Sequence, residues 1–370
     1  MASTDRRWAL VGLMTMAAAA CRPEYQVISP VEVDPAEVLP CDFTPLDAAP
    51  WVSRYDCNPV FATTDEDWVS DIVSVGFRAQ AVMGHPVYQV WYSARTPFTE
   101  DYAWGIGHAI SSDGTTWEPH PANPVYRAGN NWDADSADQL AVVFDPNRNR
   151  YVLAYQGYRL DGDRDFGMGL LTSPNGVDFS SPVGAQPLID LSQSIDGIDY
   201  CWPLSLSYAD GLYRGWMAGH RPGDLLCQIY AFTTTDPAKG WSVDGGRRPE
   251  VVLGAGPQAY DKGGMTAAAS VELDGTHYLF YVGFAEWEEQ DDYLFASSRH
   301  TLSVATSPDG RDWTKHPSNP LPVHLTEERV ITGVAAQAVA GRIHLWVTDR
   351  YEELGSHAVG YYLFDPAQMP

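Results

Sequence analysis

Acidic side chains in this sequence fall where they could meet one another. Asp71, Asp133, Asp135, Asp138, Asp199 and Asp261 lie in, or at the end of, the connections that lead into short runs of small residues. Arg78 and Trp202 open two of those runs, whereas Arg95, Arg159, His220, Arg221 and Glu286 follow short aromatic runs. If the starts of the first runs and the ends of the second project from one face, acids, arginines and aromatics line a common funnel. Such a lining suits a carbohydrate, whose hydroxyls accept charged hydrogen-bond partners and whose rings stack on indoles. Asp138 stands apart, because a carboxylate opening an otherwise apolar strand is costly to bury without a partner. The plainer reading of Asp133 and Asp135 is turn capping, a common use of aspartate. His220 with Arg221 reads equally as a ligand-facing pair or an exposed turn, and Trp202 also reads as packing between elements.

Internal periodicity supplies the elements that must position these groups. A turn-like motif recurs as Ser112-Asp113-Gly114-Thr115-Thr116-Trp117, Asn175-Gly176-Val177-Asp178-Phe179 and Asp309-Gly310-Arg311-Asp312-Trp313, with a looser copy from Asp236 to Trp241. Asp-Gly and Asn-Gly supply the positive φ of a tight turn, and the aromatic that follows starts the next strand. In phase with it run five aromatic strands, Val90–Ala94, Leu153–Gly157, Gly215–Gly219, Leu279–Gly283 and Leu345–Asp349. Before each lies a small-residue strand: Arg78–Met83, Asp138–Phe144, Trp202–Ser207, Ala267–Val271 and Val334–Ala340. Four strands in about 64 residues is propeller-blade spacing, with small side chains on the crowded inner strand.

The fifth unit stops after its third strand, Gly360–Phe364. Its missing outer strand sits at the other end of the chain. Trp51–Phe61 contains Asn58-Pro59-Val60, just as Trp117 leads to Asn123-Pro124-Val125 and Trp313 to Asn319-Pro320-Leu321. Pairing that segment beside the fifth unit buries two open edges. The expected fold is therefore all-β: a five-bladed β-propeller of four-stranded blades over residues 51–370, closed by an N-terminal strand that completes the last blade.

Five blades, an S-x-D-G-x-x-W turn and a following N-P-V together resemble the propeller glycosidases of glycoside hydrolase families 43, 32, 62 and 68, over roughly residues 51–370. The resemblance implies glycosidic-bond hydrolysis by two carboxyl groups, one charged and one protonated, often tuned by a third. In those families the first three blades supply them. Asp138 matches the second-blade aspartate. In blade one Arg78 stands where an acid is expected, so Asp71 becomes the carboxylate of that blade. Asp199, beside Tyr200-Cys201-Trp202-Pro203, is the candidate acid of blade three, where no glutamate stands. The implied function is a glycosidase-like enzyme acting on glycans, with furanosides such as arabinan or fructan as candidates. The alternative is a non-catalytic glycan-binding or scaffold protein with a degenerate site. Phosphorolysis, with Arg95, Arg159 and Arg221 holding phosphate, is a third reading.

Composition narrows the remaining choices. With Lys+Arg 23 against Asp+Glu 48 the formal charge is −25, which argues against nucleic acid as a partner because phosphate binding needs a basic groove and none is visible in the sequence. A carbohydrate partner and a monomer are expected. Arg6 and Arg7 precede the apolar run Trp8–Ala20, too short to span a bilayer as a helix and suited to a signal peptide over residues 1–20. Ala18-Ala19-Ala20-Cys21 resembles a bacterial lipobox, which implies lipidation at Cys21 and membrane contact through that anchor alone. Arg22 follows the cysteine in place of the aspartate associated with inner-membrane retention, so an outer-membrane or cell-surface location is expected; cleavage after Ala20 with periplasmic or secreted protein is the alternative. Residues 21–50, punctuated by six prolines from Pro23 to Pro50, read as an extended tether. Cys41, Cys57, Cys201 and Cys227 form an even set with three connectivities, and Cys41–Cys57 with Cys201–Cys227 closes the shortest loops. No C-x-x-C or paired Cys/His spacing points to zinc. Asp161-Gly162-Asp163-Arg164-Asp165 opens like a calcium loop, but Phe166 and Thr172 occupy its sixth and twelfth positions. A solvated loop and no cofactor are expected, with calcium as the alternative.

Overall fold

The computed structural model describes residues 41–63, 68–82, 85–96, 104–130, 132–159, 165–190, 199–221, 226–239, 242–243, 251–290, 293–296, 300–323, 330–351 and 354–370. They form five antiparallel blades around an axis. Blade one runs from the inner strand Asp71–Val82 through His85–Arg95 and Trp104–Ser111 to the outer pieces Glu118–Pro119 and Tyr126–Arg127. Blade two follows as Ser136–Asp145, Arg150–Arg159, Asp165–Ser173 and Ile189–Asp190, and blade three as Asp199–Ala209, Leu212–His220 and Gln228–Thr234 with outer pieces Ser242–Val243 and Val251–Leu253. Blade four is Gly264–Leu273, Thr276–Phe284, His300–Ser307 and Thr314–Lys315, with a hairpin of Trp287–Gln290 and Tyr293–Ala296 between its second and third strands. Blade five is Gly333–Val339, Arg342–Tyr351 and Ser356–Phe364, completed by Ala49–Tyr55 and then Phe43–Leu46. The inner strands touch one another in cyclic order, the fifth against the first.

Two boundaries differ from the sequence reading. The fold already includes Phe43–Leu46, so residues 41–50 belong to blade five and not to the tether. Prolines do not prevent this, because Phe43–Leu46 is an edge strand with one unpaired side. Cys41 and Cys57 are joined by a disulfide that pins this edge. The Cys201 side chain, like residues 1–40 with Cys21 and the Asp161–Arg164 loop, lies outside the described residues. Cys227 is buried. The inner strand of blade one begins at Asp71, seven residues before Arg78. Its upper half, Ile72-Val73-Ser74-Val75-Gly76-Phe77, is too apolar to read as a small-residue strand.

The recurrent turn is built by side chains. In the first copy Ser111 Oγ accepts from Gly114 N at 2.8 Å, while Asp113 Oδ1 accepts from Thr115 N at 2.8 Å and Thr116 N at 2.7 Å. Ser173 with Asn175 and Ser307 with Asp309 repeat the arrangement. Each copy needs a glycine, since Gly114, Gly176 and Gly310 have φ of 77°, 80° and 73°.

The Asn-Pro step that follows has an equally definite role. Asn123 Nδ2 donates to His108 O at 3.0 Å and its Oδ1 accepts from His108 N at 2.9 Å. Asn319 does the same to Val304, and Asn58 to Tyr361 (Nδ2 to O 3.1 Å, N to Oδ1 2.7 Å). A primary amide presents both an N–H donor and a C=O acceptor, as a peptide unit does, so each asparagine substitutes for a strand partner. Asn58 does this across the ring closure.

Aromatic rings fill the wedges between blades. Trp346 of blade five stacks on Phe77 of blade one at 4.2 Å between centroids, and on Tyr361 at 5.1 Å. Trp91 of blade one donates its indole N–H to Gly176 O of the blade-two turn at 2.7 Å. Large flat surfaces buried between sheets are what make a ring of separate blades cohere.

Candidate functional site

Strand register decides which residues share the funnel mouth. Asp71 pairs with Arg95, Ser136 with Tyr158, Asp199 with His220, and Gly264 with Phe284. The starts of the inner strands and the ends of the second strands therefore lie at one end of the propeller. Close to that end four inner strands break register: between Ile72 and Ser74, Asp138 and Ala141, Tyr200 and Trp202, and Met265 and Ala267. Irregularities of this kind re-aim side chains and favour functional rims. Gln139, in the blade-two irregularity, has φ of 48°.

Asp71 anchors the first half of the site. Arg95 donates to its Oδ2 from Nη2 at 2.7 Å and from Nε at 3.2 Å. His357, on the first turns of the third strand of blade five, donates to Oδ1 from its backbone N at 2.8 Å and sits with Nδ1 at 2.9 Å. Burial alone would raise the Asp71 carboxyl, but the His357 contacts and the Arg95 hydrogen bond outweigh it and hold it well below the usual carboxylate range. It is thus a fixed negative charge, of low basicity, shared between blades one and five.

Asp138 is the opposite case. Its Oδ1 is buried and has no hydrogen-bond partner, although part of the side chain still reaches solvent. Burial pushes its carboxyl up from 3.8 to about 7, against smaller downward pulls from Ser136 and the Arg95 charge. Arg95 therefore serves both acids: it clamps Asp71 and its field reaches Asp138. Two carboxyls with environments that drive them apart, one ionised and one protonated near neutrality, form the pattern that separates a charge stabiliser from a proton donor.

Other polar atoms at this end also lack partners. Thr266 Oγ1, Thr332 Oγ1, Thr348 Oγ1, His300 Nε2 and His357 Nε2 are buried and unpaired. His300 directs Nδ1 at Ile331 O, 2.7 Å away, and burial lowers its pKa, with the neighbouring His357 adding to the effect; the imidazole is neutral and its Nε2 is left as an acceptor. Buried polar atoms without partners are costly, so several in one place mark a site where water or a ligand supplies the missing bonds.

The remaining sequence-derived candidates separate clearly. Asp133 is fully buried and accepts from Gly129 N, Asn130 N, Tyr126 Oη and Tyr155 Oη, at 3.2, 2.6, 2.6 and 2.8 Å. Asp261 repeats that position in blade four, taking Lys315 Nζ at 2.5 Å and Tyr281 Oη at 3.3 Å. Both carboxylates tie a blade connection to the scaffold and are not presented to a ligand. Arg78 lies deeper, its guanidinium over the Phe144 ring at 4.4 Å, inside the axial channel. Asp135 and Arg159 are half-buried, His220 turns Nδ1 toward Arg221 O at 3.2 Å, and Arg221 and Glu286 are exposed at the rim. The side chains of Asp199 and Trp202 lie outside the described residues. His300 and His357 are not legible from the starts of inner strands and the ends of second strands; both stand at the start of third strands, and that shared position is the available signal. Among the described residues, no group of three or more His, Cys, Asp or Glu is placed to hold a metal ion, and no helix is long and apolar enough to cross a membrane.

With this geometry in hand, comparison with known proteins is informative about the scaffold. No protein-family model matches the sequence, and no curated protein matches it. Solved structures do match. A glycosyl hydrolase from Bacteroides ovatus superposes with a TM-score of 0.57 at 14% identity, over 92% of this chain and 98% of that one. The β-1,2-mannobiose phosphorylase of Listeria innocua gives 0.59 at 11% identity, over 86% and 98%. The Bombyx mori GH32 β-fructofuranosidase gives 0.56 at 14%, over 82% of this chain but 60% of its own length. The five-bladed propeller is shared. At such low identity the likeness is one of fold, and the chemistry of this chain must be argued from its own residues.

Proposed function

We propose that this protein is a glycosidase-like propeller that binds a glycan at the funnel mouth and cleaves it, with Asp138 as proton donor and Asp71 as fixed negative charge. The observation that carries this reading is the divergence of the two carboxyls around Arg95: Asp138 held up to about 7, Asp71 held ionised. A carboxyl titrating near neutrality can protonate a departing glycosidic oxygen. A fixed carboxylate steadies the positive charge that develops on the sugar ring. Unpaired Thr266, Thr332 and the two histidine Nε2 atoms offer hydroxyl-matching partners. Phosphate does not replace Asp71 in this reading, since the Arg95 fork is already engaged by its carboxylate.

A second reading has its own observation. Asp71 takes four hydrogen-bond contacts from two residues, which leaves it a weak base and nucleophile. A carboxylate so engaged suits a glycan-binding protein without turnover. The same experiment separates the two: purified protein is offered arabinan, xylan, fructan and mannan oligosaccharides, with sugar release and binding both measured. Turnover abolished by Asp138→Asn, with binding retained, supports cleavage. Binding without turnover in the unaltered protein supports the second reading, and neither binding nor turnover removes both.

Export and anchoring are part of the proposal. Residues 1–20 act as signal peptide, Cys21 carries lipid, and the propeller works at the cell surface as a monomer without a cofactor. Cys21→Ser should move the protein from the membrane fraction to the soluble fraction, and a chelator should leave activity unchanged. Retention of the Cys21→Ser protein on the membrane would refute the anchor.

A further inference from the structure

The far end of the axial channel carries a second set of groups that the funnel mouth does not use. Past the middle of the inner strands, a cavity of about 300 Å³ is lined by Arg78 and Phe144, by Arg214 at the start of a second strand, and by Glu272 and His277. The protein as a whole bears a charge of −25, yet two arginines line this one cavity. Neither makes an ion pair among the described residues.

Arg78 is the more telling of the two. Its guanidinium faces the Phe144 ring at 4.4 Å and the Tyr151 ring at 5.8 Å. Stacking satisfies the face of the cation but not its N–H groups, which radiate in the plane. One of them, Nε–H, meets Gln80 Oε1 at a long 3.4 Å. The two Nη groups have no acceptor among the described residues, and they are not sealed from solvent. That bond also fixes the Gln80 amide, whose Nε2 is then buried with no acceptor. Around the Arg78 guanidinium itself, donors are thus left without acceptors among the described residues. Glu272 is the single acid in the lining, more than half exposed and 4.0 Å from His277. Burial pushes the Arg78 guanidinium below its usual value, a cost that a bound negative charge offsets.

We infer that this end of the axial channel binds a small oxyanion of the size of phosphate or sulfate, held by Arg78 and Arg214. Planar, forked donors match oxyanions better than they match a spherical ion. An anion here joins blade one to blade three across the axis, two blades that are not neighbours in the ring. The site is separate from Asp71 and Asp138, so it stands or falls independently of glycan cleavage.

The test is calorimetric titration of the full chain with inorganic phosphate in a zwitterionic buffer, with sodium chloride titrated in parallel and melting followed in both. Expected are saturable binding of phosphate with a rising melting temperature, dissociation constants weakened about tenfold or more by Arg78→Met and by Arg214→Met, and no change in Asp138→Asn. If Arg78→Met does not fold, Arg214→Met, on a half-buried residue at the channel's edge, decides the matter. Absence of saturable binding, equal binding in Arg214→Met, or chloride binding as tightly as phosphate overturns the assignment.

Discussion

Replacing Asp138 by asparagine should make the protein more stable at alkaline pH while abolishing any glycan cleavage. Asparagine has the shape of a protonated aspartate, so it mimics the neutral form that burial favours. The Asp138 carboxyl moves from 3.8 in the unfolded chain to about 7 in the fold. A raised acid leaves the folded state holding the extra proton between those values, so stability falls as pH rises through them and the loss is complete above about 7. A rise from 3.8 to about 7 corresponds to roughly 4 kcal/mol of penalty on the charged form. Because part of the side chain reaches solvent, the expected gain of Asp138→Asn is below that ceiling, about 2–4 kcal/mol at alkaline pH and near zero below about pH 4. Asp71 is present in both proteins and cancels from the difference. Urea unfolding of the two proteins at acidic, neutral and alkaline pH measures it. A difference that does not change with pH, or an asparagine variant less stable at alkaline pH, would refute the assignment of Asp138 as a strained, proton-holding carboxyl.

His357→Ala should cost about 2 kcal/mol at neutral pH, the loss of one hydrogen bond to a charged group. Since the folded Asp71 carboxyl is depressed, its contribution is present above 3.8 and disappears as pH falls below it, so the two proteins should converge in acid-unfolding titrations. Asn58→Ala and Asn123→Ala each leave a main-chain N–H and C=O without their amide partner, about 2–3 kcal/mol by chemical denaturation. Only the Asn58 change should also expose Ala49–Tyr55 to hydrogen exchange. Gly176→Ala sets a Cβ 2.9 Å from Trp91 at a φ of 80°, and should lower stability by about 3 kcal/mol in the same assay.

The fold was legible because its signals are periodic and local. Asp-Gly before an aromatic, Asn-Pro after it and an aromatic strand in phase survive in sequence because each builds one hydrogen-bonding device, repeated blade by blade. Closure by Trp51–Phe61 was readable for the same reason: Asn58 sits where Asn123 and Asn319 sit. The site was less legible. Asp138 announced itself as a charge in an apolar strand, but Asp71 was placed against Arg78 because the upper half of the first inner strand lacks small residues. Asp133 and Asp261 look like funnel acids in sequence, and only their tyrosine and lysine partners, brought in by other strands of the adjoining blades or their outer edges, reveal them as scaffold. His357 reaches Asp71 from 286 residues away, a contact that no local pattern encodes.

The blade-five seam also imposes an order of events on synthesis. Asn58 and its partner Tyr361 are separated by 303 residues. At ribosomal speed the strand Ala49–Tyr55 waits about 15–60 s before the strand it must join has been made. During that interval blades one to four can assemble locally from neighbouring strands, whereas the early strand lacks its partner Ser356–Phe364 and its apolar side chains Trp51, Val52 and Tyr55 stay uncovered. The disulfide between Cys41 and Cys57 needs none of the later chain and can hold Phe43–Leu46 against Ala49–Tyr55 as a small preformed hairpin. The seam thus makes the beginning of the domain the last part to find its place, and the hairpin is what keeps it in a pairing-competent shape until then.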